Sequence, residues 1–478
     1  MLILFEWAAN DCTSLRPPDN RPKLSSTNRA TLAEAFVYSE SVDVVVVGAG
    51  VAGLVALRDL SQAGLSVVCV EARDRIGGRI LTVRDALSPM PFELGAEFVH
   101  GRSPEIWDVV QAAGLRAYDC VEHAVHLEHG KVQTRADAWD LVDRILSDMQ
   151  RAARDGPDRS FSEFIAARRY SEQAKALASS YVEGFNAAHP DIIGIASLAG
   201  DARAAERIDG DRSFRIAEGY DAVPAHFVRQ IDSLEHKLRL NSVVEKIIWK
   251  RGQAKAHVRS LLTRGVSELR SPRVVITIPL GVLHADRSSH GAIVFEPEPA
   301  ATLHAARRLA FGQVLRIVVR FREAFWEKQK GLADVGFLLS SEHFFPTWWT
   351  TLPIHAPILV GWSAASHSDG VAGELRQTIV SRAIESLASI TGTSANKIGN
   401  LLDAAHFHDW STDPYARGAY SYVPAGAMDA RRKLAKPVDD TLYFAGEATN
   451  TSGFSATVHG AIESGKRAAA QVLEAVAR

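Results

Sequence analysis

Val42-Asp43-Val44-Val45-Val46-Val47-Gly48-Ala49-Gly50-Val51-Ala52-Gly53 is the stretch whose reading decides the fold. The apolar run Val42 to Val47 reads as a strand, Ala52 to Ala63 as a helix stopped by Gly64, and Leu65 to Val70 as a second strand ending in Glu71. That order is a βαβ unit with its glycine-rich turn where a phosphate loop belongs. Gly48 allows the tight turn, Gly50 a close approach of backbone to a pyrophosphate, and Gly53 intimate packing of helix on strand. Ala52 opens the helix, whose unpaired N–H groups attract an anion. Glu71 follows about twenty residues on, where a carboxylate accepts hydrogen bonds from ribose hydroxyls and repels a 2′-phosphate. A dinucleotide other than NADP is therefore expected.

Directly after Glu71 runs Ala72-Arg73-Asp74-Arg75-Ile76-Gly77-Gly78-Arg79. A second glycine pair flanked by arginines brings further backbone and a guanidinium toward a pyrophosphate. A nicotinamide enzyme has no need of that second clamp, which favours FAD. Far along the chain, the strand Thr441 to Phe444 leads into Gly446-Glu447, and Ala456-Thr457-Val458-His459-Gly460-Ala461 opens a helix. Both motifs must reach one ligand, so the cofactor domain is expected to be discontinuous. The fold class expected is α/β (α+β): a discontinuous Rossmann-like FAD-binding domain with a second substrate domain of sheet plus helices.

The segments follow from this pattern. FAD-binding parts are expected at 41–103, 211–290 and 401–478, a helical part of the substrate domain at 104–210, and its sheet and helices at 291–400. Helices are read at Glu105 to Ala113, Ala136 to Ala153, Phe161 to Ala166, Ser171 to Asn186 and Val223 to Ile231. Strands are read at Asn241 to Ile247, Val274 to Pro279, Gln313 to Phe321, Gly336 to Leu339 and Pro357 to Ser363. The aromatic run Phe344-Phe345-Pro346-Thr347-Trp348-Trp349 suits either a substrate channel or a sheet core.

A chain of 478 residues is large enough for two or three units at about 150 residues each. Its net charge of −2 supplies no global field for nucleic acid or an anionic membrane. The 3 cysteines (Cys12, Cys69, Cys120) are widely spaced, which indicates neither a disulfide framework nor a metal site. A reducing cytoplasm is the expected location. Met1 to Trp7 is apolar but lacks a basic start and is interrupted by Glu6, so it does not read as a secretory signal. No apolar run reaches the length of a membrane span. Residues 8–40 are rich in Pro, Asn, Ser, Arg and Thr, and 1–40 is expected to be a flexible arm.

These motifs resemble the flavin-containing amine oxidase family, which holds monoamine oxidases, polyamine oxidases, L-amino-acid oxidases and lysine-specific histone demethylases. The likeness to the demethylase and polyamine oxidase branch is close across the block that begins His408-Asp409-Trp410 and continues through Tyr415 and Tyr420. The resemblance implies FAD contacts from Gly48, Gly50, Ala52, Gly53, Glu71, Ala72, Arg73, Gly78 and Arg79. It implies more from Gly95, Ala96 and Glu97, from Val244 and Thr277, and from Trp410, Tyr415, Gly446, Glu447, Thr457 and Val458. For Trp410, Tyr415, Val244 and Thr277 an ordinary core position is the alternative. Ala419 stands where monoamine oxidases carry a covalent flavin link, so non-covalent FAD is implied. Tyr420 is expected as one wall of the amine site and Thr457 as the other, and His100 as a polar group at its mouth, unless it is a structural or solvated loop histidine.

The main departure from the family is Arg316, where a lysine joined through water to the flavin is usual. Arginine stays protonated and cannot act as a neutral base, although it can hold a water, a carboxylate or an anionic flavin. Three readings stay open: slow reaction with oxygen and use of another acceptor, binding of a substrate carboxylate, or a solvent-facing strand arginine on the face shared by Val314, Val318 and Arg320. The expected reaction is hydride transfer from an amine C–N centre to flavin N5, hydrolysis of the imine, and reoxidation by O2, giving H2O2, or by another acceptor. A helix N-terminus near Thr457 would stabilise negative charge on the reduced ring. The partners expected are a small-molecule amine and an electron acceptor, with a homodimer left open and no nucleic acid. The alternatives are a C–C desaturase of the carotenoid desaturase or protoporphyrinogen oxidase type and a non-catalytic FAD-bearing interaction protein.

Overall fold

Valine runs and glycine turns build the central element of the computed structural model, which describes residues 38–132, 136–340, 344–368 and 372–478. The strands Val44–Val47 and Val67–Val70 pair in parallel, with Val44 opposite Val67, and the helix Val51–Gln62 connects them. The helix ends as its sequence requires. Gly64 sits at φ +87° and Leu65 N–H donates to the Leu60 carbonyl at 3.2 Å, a left-handed turn that satisfies the last carbonyls.

Two distant strands complete this sheet. Arg273–Ile276 pairs with Val44–Val47, and Leu442–Phe444 pairs with Arg273–Ile276, all parallel, while Leu238–Arg239 closes the other edge. Alternate residues serve different cores: Val44 and Val46 pack with the helices, Val45 and Val47 with the second, antiparallel-rich sheet. A parallel sheet covered on both faces needs such unbroken apolar strands.

The C-terminal helix Val458–Ala477 crosses the helix Val51–Gln62 closely. A Cβ on Gly465 would lie 2.4 Å from the Ala52 carbonyl oxygen. A second sheet runs Tyr38–Ser41, Val266–Ser271, Gln253–Ser260, Ser242–Lys250 and Val294–Glu296. Tyr38 to Glu40, assigned by sequence to a flexible arm, are therefore strand, held in parallel register with Ser267 to Leu269. The rest of that arm, 1–37, falls outside the described residues.

A seven-stranded sheet forms the other half of the molecule, with Val314–Phe321 and Ile358–Ala364 as its longest strands. Its far edge, Ala124–Glu128 and Lys131–Val132, comes from the stretch 104–210 read as helical. The short strand Ala117–Asp119 comes from the same stretch but belongs to a separate three-stranded sheet, pairing with Ser213–Ile216. Alternating Ala124, Val125, His126, Leu127 carry a two-residue period that is too brief to outweigh the flanking helical patterns. The helix Ile195–Glu206 was likewise not picked out. Within the aromatic run both readings hold in part: Phe345 and Trp348 are sheet core, whereas Trp349 faces a cavity.

Candidate active site

Between the parallel sheet and the seven-stranded sheet lies a cavity of about 1260 Å³. Ligand pockets for one drug-sized molecule run to roughly 300–1,000 Å³, so this space suits a dinucleotide together with a second small molecule. Every residue named from sequence as a site candidate lines it except Gly53. Gly53 lies beneath the loop, where an added Cβ would collide with the Gly48 carbonyl oxygen at 1.9 Å.

At the nucleotide end, a Cβ on Gly50 would meet no atom within 4 Å, so this backbone stands bare to the cavity. Glu71 accepts from the amides of Ala49 at 2.7 Å and Arg73 at 2.9 Å, one on each oxygen. Because an ionised carboxylate accepts at about four positions, both oxygens keep a site for ribose hydroxyls. The second glycine pair packs on the first: Gly77 N–H donates to Ala49 at 2.9 Å, and Gly78 lies against the Gly50 Cα. Thr277 fills the space that Gly48 and Gly53 leave, donating its hydroxyl to the Val47 and Gly48 carbonyls. Val244 precedes a bulge in its strand and Ala72 follows Glu71, both at this end. These residues fit a dinucleotide.

Arg79 is not free to swing toward a phosphate. Its guanidinium donates to Glu447 at 2.9 Å and to the Ala419 carbonyl at 2.7 Å, beside the Phe311 ring. Burial alone would raise the Glu447 carboxyl, but the Arg79 charge and the Ser421 hydroxyl outweigh it and hold the group below its ordinary range. The second Glu447 oxygen also accepts the Ala456 amide at 3.0 Å. Trp410 is a wall residue with its indole N–H bonded to the Leu94 carbonyl at 2.7 Å and its ring against Gly95. Tyr415 stacks under the Arg73 guanidinium, and its hydroxyl meets His290 at 3.0 Å.

Thr457 caps the C-terminal helix. Its hydroxyl accepts from Gly460 N–H at 3.0 Å and donates to the Phe454 carbonyl at 2.7 Å, so it has no donor left for a ligand. With Gly460 and Ala461 also satisfied through Thr457, the amides of Val458 and His459 remain as the open start of the helix. Gly446 lies beside them, its amide held by Ser464. Tyr420 donates to the Phe185 carbonyl at 3.1 Å, which fixes its ring at the far side of the cavity.

The solvent-facing reading of Arg316 is overturned: the residue is 4% exposed on a strand buried on both faces. One guanidinium nitrogen donates to the Gly95 carbonyl at 2.8 Å and the other to Glu97. Glu97 is thus taken up by protein partners, since Arg215 donates to it at 2.5 Å and the Trp349 indole at 3.1 Å. Burial would raise this carboxyl, and Arg316 and Arg215 together drive it below its usual range. His100 is no solvated loop histidine; burial lowers it to about 4, leaving it neutral.

Sequence reasoning missed Arg215 and the aromatic wall of Phe98, Phe337, Trp362 and Phe185. The strand Ser213–Ile216 that carries Arg215 is too short to show a pattern of its own, and nothing local indicated that this residue would meet Glu97.

Comparisons with known proteins agree with this geometry. The family described as flavin containing amine oxidoreductase matches residues 51–473. Probable polyamine oxidase 4 of Arabidopsis thaliana is 28% identical, across 94% of this chain and 89% of its own length. Lysine-specific histone demethylase 1 homolog 3 of the same plant is 26% identical across 95% of this chain, which spans only 32% of that protein. A wild-type putrescine oxidase solved with putrescine bound superposes with a TM-score of 0.75 at 19% identity, covering 91% of this chain and 100% of that one. At that identity the superposition speaks for the fold.

Proposed function

Because the chain belongs to the flavin-containing amine oxidoreductases and is a flavin-dependent enzyme acting on amines, we propose that it binds FAD without a covalent link and oxidises the C–N bond of a small amine to an imine that water hydrolyses. The observation that carries this reading is the meeting of the Gly48 to Gly53 loop, Glu71 and the open start of the C-terminal helix around one cavity. Supporting non-covalent attachment, the residue beside Tyr420 is Ala419, which has no nucleophile.

When bound, FAD would supply a two-electron acceptor for hydride from the amine α-carbon and a route for the electrons to dioxygen, giving peroxide, or to another acceptor. Gly50 and the first turn of the helix Val51–Gln62 would hold its pyrophosphate, and Glu71 a ribose. Val458 and His459 present unpaired N–H groups and the positive end of a helix dipole at the cavity, where they would stabilise negative charge on the bound group. Tyr420, Phe98, Trp349 and Trp362 enclose the apolar part of the cavity, exclude water and orient the amine. His100 is neutral and within this enclosure, so it can accept a hydrogen bond from the amine N–H without adding charge. Arg316 remains charged, so it takes no proton from the substrate; its part is to hold position and charge beside the reacting end.

The test is direct. Purified protein is expected to be yellow, to release FAD on acid precipitation, and to bleach anaerobically with one member of a panel of amines. Bleaching by a polyene or porphyrinogen and by no amine would overturn the assignment. For Arg316, replacement by Lys read by rapid mixing is expected to change flavin reoxidation at least several-fold. An unchanged rate with unchanged substrate binding would remove it from the site's chemistry.

A further inference from the structure

Arg215 does not line the cavity, yet it determines what its aromatic end presents. The residue is 4% exposed on the strand Ser213–Ile216. Its Nε donates to Glu97 at 2.5 Å, and its terminal nitrogens donate to the carbonyls of Thr350 at 3.1 Å and Leu352 at 3.4 Å. Arg316 takes the other oxygen of the same carboxylate. One buried carboxylate therefore answers two buried guanidinium groups, and the cluster keeps a net positive charge.

Nearby groups do not cancel it. Glu93 is the next acid within reach of Arg316, and burial pushes it up to about 7, so below neutrality it is largely uncharged. Tyr118 and Cys120, which face Arg215, are both pushed by burial to about 12 and stay neutral. Of the acids among the described cavity-lining residues, Glu97 is matched by Arg215 and Arg316, Glu447 by Arg79, Glu71 by Arg73 at 3.9 Å and Asp201 by Arg431 at 3.8 Å, while Glu122 is exposed, where solvent screens its charge. The rings are engaged as well. Arg215 lies 5.0 Å from the centre of Phe98, and Arg316 lies 5.5 Å from that of Trp349, so each of these wall rings already has a cation on one face. Phe98 and Trp349 stand 5.5 Å apart and form one surface.

We propose that Arg215 is a positioning residue for amine oxidation: by doubling the cationic charge on Glu97 it leaves the aromatic end of the cavity net positive, which turns away the ammonium form of an amine and admits the neutral form. Only the neutral form has the nitrogen lone pair needed as hydride leaves carbon. This inference rests on the amine-oxidising reading above, and the same charge would play no such part in a site for uncharged hydrocarbon substrates.

The experiment uses FAD-loaded enzyme at pH 6.5 and two probes of equal shape, benzyltrimethylammonium and its uncharged carbon isostere neopentylbenzene, each followed by the perturbation of flavin absorbance. In Arg215→Gln the cation should bind roughly tenfold more tightly relative to the isostere than in the native enzyme, the size expected for removing one charge at about 10 Å in a medium of effective dielectric about 20. Arg215→Lys should restore the native ratio. Glu97→Gln moves the charge the other way and should weaken the cation relative to the isostere. A purely structural role would weaken both probes together in every variant, and that result, or an unmoved ratio in Arg215→Gln, would overturn the proposal. Where one variant does not load FAD, the sign of the shift in the other decides. Failure of the amine reading shows separately, as native enzyme that no amine bleaches.

Discussion

Two buried residues give the molecule opposite responses to acid. Burial lowers His459 from 6.5 to about 4, with a smaller push from His100, and its Nε2 is buried among the described residues without a hydrogen-bond partner. The unfolded chain takes up this proton first as pH falls, so the stability His459 contributes is present above about pH 6.5 and declines toward pH 4. The decline is up to about 1.4 kcal/mol per pH unit for the one group. Glu93 behaves the other way. Its carboxyl is raised from 4.5 to about 7, so the folded state binds the proton more tightly, and stability present below pH 4.5 is lost as pH rises through 7. Thermal midpoints between pH 4.5 and 8 are expected to show His459→Gln with a flatter acid limb. Glu93→Gln is expected to gain on the native protein as pH rises. Parallel curves would mean that neither group is buried as described. None of this was readable residue by residue, because burial is a property of what folds over a side chain: Glu93 and Glu97 sit in one short run, yet one is raised and the other lowered.

Glycines of the first loop separate stability from cofactor binding. Gly50→Ala adds a methyl where nothing stands within 4 Å, so the FAD-free protein should keep its midpoint while flavin content falls. Gly53→Ala places a Cβ 1.9 Å from the Gly48 carbonyl oxygen and should lower the midpoint even without FAD, by about 1–3 kcal/mol of overpacking. Equal losses from both would show that the two glycines do not divide the work. At the other end, Thr457→Ala removes the side-chain cap of the C-terminal helix and should cost about 1 kcal/mol, whereas Thr457→Ser should be near neutral in calorimetry. The loop and its helix were legible because their signals are local: a glycine spacing and a run of valines. The edge strands Ala124–Glu128 and Lys131–Val132 were not, since strands this short are stabilised by the neighbour they pair with and carry little pattern of their own.

Across the whole molecule, the first helix and the last meet where Gly465 approaches Ala52. Gly465→Val is expected to force them apart, lowering both the thermal midpoint and the flavin retained after gel filtration; unchanged retention would mean the crossing does not shape the cavity. Arg79 and Glu447 tie the same two ends together through an ion pair of 2.9 Å. Sequence alone determined the βαβ unit and the acid Glu71 that follows its second strand, because a phosphate loop is made of consecutive backbone and its pattern is written in neighbouring residues. Folding alone decided that Arg316 is buried, that Glu97 serves Arg215 and Trp349, and that Phe98 and Trp349 form one wall. Those pairings join a loop to strands more than a hundred positions away, and a charge's partner is set by distance in space, on which sequence order is silent.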